Sequence, residues 1–205
     1  MALAQSAMKE KEATSYLKKV MPDIKKIFFQ GKKPVSGFGL EISPNVHIIN
    51  SKQVNAEQWV RPEKKGIMRN GVSVTNGLLK IRNKDTIKFA LLHEMGHLLT
   101  LQFISKFKLK LTAVQLEIIA DLSSIFLMKK TGISWSRAKK AISEWKRSQI
   151  FDNTWSGPHP PGGDRVKIIN KFISLMKQKE NFEKVTKTLM KKTRNYREKS
   201  RLPKL

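Results

Sequence analysis

The stretch from Thr86 to Ile104 is the tightest constraint on this chain, because it is apolar almost throughout yet carries His93-Glu94-Met95-Gly96-His97 at its centre. A run of this kind forms a helix buried in a core, with Asn83 or Asp85 placed to cap its start. At about 3.6 residues per turn, positions four apart share a face, so the helix brings both imidazoles to one point beside a carboxylate. Two hydrogen-bonded core histidines also satisfy the pattern, but burying both on one stripe next to Glu94 is costly without a metal to organise them. Imidazoles at this spacing suit zinc, and the carboxylate between them can take a proton from water and hand it to a leaving amine. The expectation is one zinc ion per chain held by His93 and His97, with Glu94 as general acid and base.

A tetrahedral catalytic zinc takes a third protein ligand and keeps one position for water. Glu117 and Asp121 lie four residues apart in a second apolar helical run, from about Leu111 to Met128. Metal ligation gives Glu117 a partner, and the ring N–H of His93 gives Asp121 one. Two solvated positions on an amphipathic helix are the alternative. A third polar cluster, Ser156 to Arg165, is rich in Gly and Pro and reads as a loop, followed by a helix that Val166, Ile169, Phe172, Ile173 and Met176 mark out. His159 on that loop is placed to donate to the oxyanion of a tetrahedral intermediate, to ligate metal, or simply to be exposed.

Taken in order, Asn55-Ala56, the run Gly71-Val72-Ser73-Val74-Thr75-Asn76-Gly77-Leu78-Leu79, His93 to His97, Glu117-x-x-Ala120-Asp121, and His159-Pro160 with Arg165 resemble the HtpX and type I CaaX prenyl protease family of gluzincin metallopeptidases. The resemblance implies a zincin-like domain in which His93, His97 and Glu117 hold zinc, Glu94 is the catalytic acid and base, and Asp121 orients His93. It also implies that His159 stabilises the transition state and that Arg165 holds the His-Pro loop against the active-site helices. Most members of that family carry membrane-spanning helices. None is expected here, because the most apolar windows contain the proposed ligands and the N-terminal residues lack a secretory apolar region. The expectation is a soluble, cytoplasmic catalytic domain, with peripheral membrane association left open and no prenylated substrate.

The fold class expected is α+β, mainly helical, with a small sheet beside the active-site helix. One domain is expected across the 205 residues: a helical segment over 1–34, a catalytic core over 35–180, and a basic helix and tail over 181–205. The first helix spans about Ser6 to Gln30 with a break near Pro22, and Gly31-Lys32-Lys33-Pro34 forms a linker. Gly39 to Ile42 and Val46 to Ile49 are expected to pair across Ser43-Pro44-Asn45, with Gly71 to Thr75 completing the sheet. His47 reads as structural. If Val72, Ser73, Val74, Thr75 and Asn76 lie at a sheet edge beside the metal, their backbone would pair with an extended peptide; an ordinary internal strand fits equally well. Further helices are expected over Trp135 to Ile150, after Gly132, and over Asn181 to about Glu198.

Charge is the feature that peptide hydrolysis does not explain. Forty-one Lys and Arg face sixteen Asp and Glu, a net charge of +25. Such a surface attracts polyanions, whether nucleic acid, an anionic membrane surface or acidic protein, and a highly charged solvated surface with no partner is the plain alternative. The basic C-terminal tail has one aromatic, Tyr196, which argues against base stacking there. The absence of cysteine excludes disulfides. Two function classes follow: a zinc endopeptidase acting on peptide or protein, and a basic nucleic-acid or membrane-surface binding protein whose zinc site is structural or vestigial. A third reading, a SprT-like protease of DNA-bound proteins, takes a histidine as third ligand. In the peptidase reading, the segment after Glu180 is expected to lie over the cleft and limit access.

Overall fold

The computed structural model describes residues 8–29, 41–62, 67–107, 111–147, 162–178 and 181–193. Two antiparallel helices form its centre, α3 (Lys84–Phe107) and α4 (Ala113–Lys130). α4 opens on a reciprocal cap, in which Thr112 Oγ1 accepts from Gln115 N at 3.3 Å and Gln115 Oε1 accepts from Thr112 N at 2.9 Å. From Glu117 to Met128 it is buried on every side, polar Asp121, Ser123 and Ser124 included. The two helices touch backbone to backbone at Gly96: a Cβ added there would lie 2.8 Å from both Cα and O of Ala120. Ser124 Oγ donates to Phe89 O at 2.9 Å on the same seam, so small side chains set the spacing along it.

The sheet has three strands, β1 (Glu41–Ile49), β2 (Ala56–Pro62) and β3 (Met68–Thr75), in the order β1-β3-β2. β1 runs parallel to β3 and β2 antiparallel to it. Three sequence expectations change here. Glu41 to Ile49 is one strand, and Ser43-Pro44-Asn45 is an irregularity in its pairing with β3 instead of a hairpin turn: Ile42 faces Asn70 while Val46 faces Val72. Pro44, with no N–H to give the ladder, fits a bulge. Second, β2 was not expected at all, since among its residues Trp59 alone is buried. Third, β3 is the internal strand. Val72, Ser73, Val74 and Thr75 are buried and paired on both sides, so this run offers no free backbone edge to a peptide.

α1 (Glu10–Phe28) lies over β1, and Thr14 Oγ1 accepts from Val46 N at 3.1 Å. The expected break at Pro22 does not occur. Ala13, Leu17, Val20 and Ile24 form one buried stripe that carries through the proline, while Pro22 and Lys18 are exposed, so the carbonyl that loses its partner lies on the solvated face. β3 runs straight into a single turn, α2 (Asn76–Leu79), capped by Thr75 Oγ1, which accepts from Leu78 N at 3.2 Å. α5 (Trp135–Arg147) follows a turn at Gly132, whose φ of +88° is the left-handed value that favours glycine.

α6 (Gly162–Lys177) and α7 (Phe182–Thr193) close the domain. Phe182, Val185, Leu189 and Met190 of α7 belong to the same buried cluster as α1, α3 and α4, and Gln115 Nε2 donates to Met190 O at 2.9 Å. Residues 181–193 are therefore core and not a removable cover; the tail beyond them lies outside the described residues. The result is mainly helical with a small sheet, and no helix among the described residues is long and apolar enough to cross a membrane.

Gly96→Ala should push α3 and α4 apart. It is expected to cost about 1–3 kcal/mol of unfolding free energy in a urea titration, and a midpoint equal to that of the parent chain would show that the seam tolerates a methyl group.

Candidate metal centre

The seam between α3 and α4 presents Phe89, His93, Gly96, His97 and Thr100 on one side and Glu117, Ala120, Asp121 and Ser124 on the other, each set at helical spacing. At its middle the imidazoles of His93 and His97 meet, Nε2 to Nε2 at 3.0 Å. The Glu117 carboxylate spans the pair, with Oε2 at 3.4 Å from His93 Nε2 and Oε1 at 3.3 Å from His97 Nε2. His93 and Glu117 are buried, while His97 and Glu94 keep 16% and 14% of their side-chain surface.

A second set of contacts fixes the protons. Asp121 is a carboxylate and can only accept, so His93 Nδ1 donates to its Oδ1 at 2.9 Å, which turns the other ring nitrogen toward Glu117 and His97. Arg165, from the first turn of α6, donates from Nε to Asp121 Oδ2 at 2.7 Å and from Nη2 to Oδ1 at 2.5 Å. A cation at a helix N-terminus opposes the helix dipole, and the buried carboxylate opposite offsets that cost. Burial alone would raise the Asp121 pKa, but the guanidinium outweighs it and holds the carboxyl below its usual range. At His93 burial works against charge, yet the hydrogen bonds to Asp121 and then Glu117 prevail and push the imidazole up to about 9. The pocket is built to attract positive charge at His93 Nε2.

Donor atoms on a tetrahedral zinc with bonds of about 2.0–2.1 Å are about 3.3–3.4 Å apart. The Nε2–Nε2 distance of 3.0 Å lies near that spacing, and Glu117 brings one carboxylate oxygen to each imidazole, at 3.4 Å from His93 and 3.3 Å from His97. Glu94 also lies close, and His93, Glu94 and His97 bring ligand atoms within 4.8 Å of one another. The distances separate the two carboxylates: Glu94 Oε1 is 4.0 Å from His93 Nε2, too far to share a tetrahedron edge, whereas Glu117 reaches both imidazoles.

The structure thus brings together His93, Glu94, His97, Glu117, Asp121 and Arg165. His159 lies outside the described residues, as does the loop that carries it. Val72 to Asn76 do not present a free strand, and Asn76 instead donates from Nδ2 to Asn50 Oδ1 at 3.0 Å. His47 stands apart, its ring packed edge-on against Trp59 at 4.5 Å, as a structural histidine would be. Sequence reading missed Gly96 as the contact that lets the two helices close. The signal was a glycine in the middle of a helix, where it costs about 1 kcal/mol relative to alanine and needs a packing reason. No family model, no curated protein and no solved structure matches this chain.

Asp121 and Arg165 are 1% and 2% exposed, so removing one charge strands the other in the core. Arg165→Met is expected to lower stability by about 3–5 kcal/mol, and adding Asp121→Leu to recover much of that loss. Equal losses in the single and double variants, measured by urea unfolding, would mean the pair is not what holds α6.

Proposed function

We propose that this chain is a zinc-dependent endopeptidase in which His93, His97 and Glu117 hold the ion and Glu94 moves the proton. The observation that carries this reading is the convergence of the two imidazole Nε2 atoms, 3.0 Å apart, on the Glu117 carboxylate, whose two oxygens lie 3.4 and 3.3 Å from them. The zincin-like fold and the kinship with HtpX and type I CaaX prenyl proteases belong to the same proposal. They are supported by the place of Glu117 on the helix that follows the one carrying His93 and His97.

A zinc ion held there would supply Lewis acidity, bringing the pKa of water down toward neutrality. The residues of the chain do the remaining work. Glu94, partly exposed and outside the ligand triangle, receives a proton at its carboxylate and delivers it to the amine nitrogen as the peptide C–N bond breaks. Asp121 holds His93 in the tautomer whose Nε2 lone pair faces the ion, and Arg165 keeps Asp121 ionised and in place. His159, which lies outside the described residues, is assigned to the oxyanion on the family resemblance.

A binding protein with a structural zinc is the competing class. Structural sites close on four protein ligands, whereas three ligands beside a partly exposed carboxylate favour hydrolysis. Glu94→Gln is expected to keep zinc and lower kcat by about 10²–10⁴-fold, while Glu117→Ala loses the metal and His159→Ala keeps it but loses rate. Metal analysis alongside a peptide-library digest reads all three. Wild-type protein that binds zinc yet cleaves nothing would overturn the reading. Metal lost in His159→Ala but kept in Glu117→Ala would point to a histidine third ligand of the SprT type.

A further inference from the structure

A cleft of about 710 Å³ opens at the start of α3, away from the triangle of metal-binding side chains, and Arg82, Lys84, Lys88, Arg137 and Lys140 line it. Its carboxylates are Asp85 and Glu144, so five cations face two anions. Asp85 is already committed: Arg137 donates to both its oxygens at 2.8 and 2.9 Å, and Lys88 lies 3.5 Å away. Lys84 pairs with Glu12 at 3.1 Å, but both side chains are more than 40% exposed and such a pair is weak. Arg82 and Lys140 are exposed, and among the described residues neither has an ion-pair partner. The cleft therefore keeps an excess of three positive charges on a chain whose net charge is +25.

We propose that this cleft docks the phosphate backbone of nucleic acid. The lining chooses among polyanions. Ile81 is its sole apolar residue and it has no aromatic, so it offers nothing to insert into a bilayer and nothing on which a base could stack. Among the described residues the exposed large apolar side chains, Val60, Ile67 and Met68, belong to the β2–β3 arm instead. Cations in a recess without base-reading groups bind phosphates irrespective of sequence, through counterion release. On α3 the lining runs from Lys84 to Lys88, nine to five residues before His93, or about 14 to 8 Å along the helix at 1.5 Å per residue, and it shares no residue with the metal centre.

The test is fluorescence anisotropy of the full chain with a short mixed-sequence DNA duplex over a range of salt. Arg82→Glu with Lys140→Glu should weaken binding about tenfold or more and flatten the slope of log K against log salt by about 2. Lys171→Glu with Lys177→Glu, an exposed pair on α6 that changes net charge equally, should alter affinity by about twofold or less. Circular dichroism and zinc content accompany each variant, and Arg82→Ala with Lys140→Ala, expected to lose about threefold, serves if the charge reversal disturbs folding. Equal losses from the two reversed pairs would show diffuse attraction and overturn the assignment. So would a wild-type chain that ignores the duplex but binds phosphatidylserine vesicles.

Discussion

The carboxylate of Asp121 is the joint on which the arrangement depends. It sits on α4, accepts from His93 on α3, and accepts twice from Arg165 on α6, so three helices meet at one buried anion. An ion pair taken out of water gains little net stability, because desolvation consumes most of the Coulombic attraction. What it supplies is position: with Asp121 in place, the His93 ring has one orientation, and the converging nitrogens and the Glu117 oxygens follow from it.

The close approach at Gly96 and Ala120 makes that joint possible. Helices separated by ordinary side chains are about 8–10 Å apart, whereas Gly96 lets this pair touch backbone to backbone. Along this seam glycine, alanine and serine let α4 lie close to α3, with Asp121 at His93 Nδ1 and Glu117 at the Nε2 atoms of both imidazoles. Packing and chemistry are thus one constraint, and the apolar residues around the seam keep water from competing for the same hydrogen bonds.

Much of this was legible in the sequence because it is local. His93, His97, Glu117 and Asp121 sit on two helices joined by a short connection, and helical periodicity alone puts each pair on a face. Arg165 was found by resemblance, since nothing in its neighbourhood announces a partner forty-four residues away. The cleft lined by Arg82, Lys88, Arg137 and Lys140 was invisible for the same reason: its charges come from two segments about fifty residues apart, and composition reports their number without their place. Pro22 misled because the rule against proline in helices weighs backbone hydrogen bonding, while here a buried stripe on the opposite side decides.

The strand β2 failed to declare itself for a more instructive reason. A strand flanked on one side only presents unsatisfied backbone groups that invite another chain to dock, and proteins guard such margins with charge and proline. Glu57, Gln58, Arg61 and Pro62 give β2 that character, whereas the far margin, at β1, is shielded by α1 through Thr14. The polarity that hid β2 from a hydrophobic pattern also suits its margin: Glu57 and Arg61 set one charge of each sign beside Pro62, features that oppose pairing with a second copy of the chain.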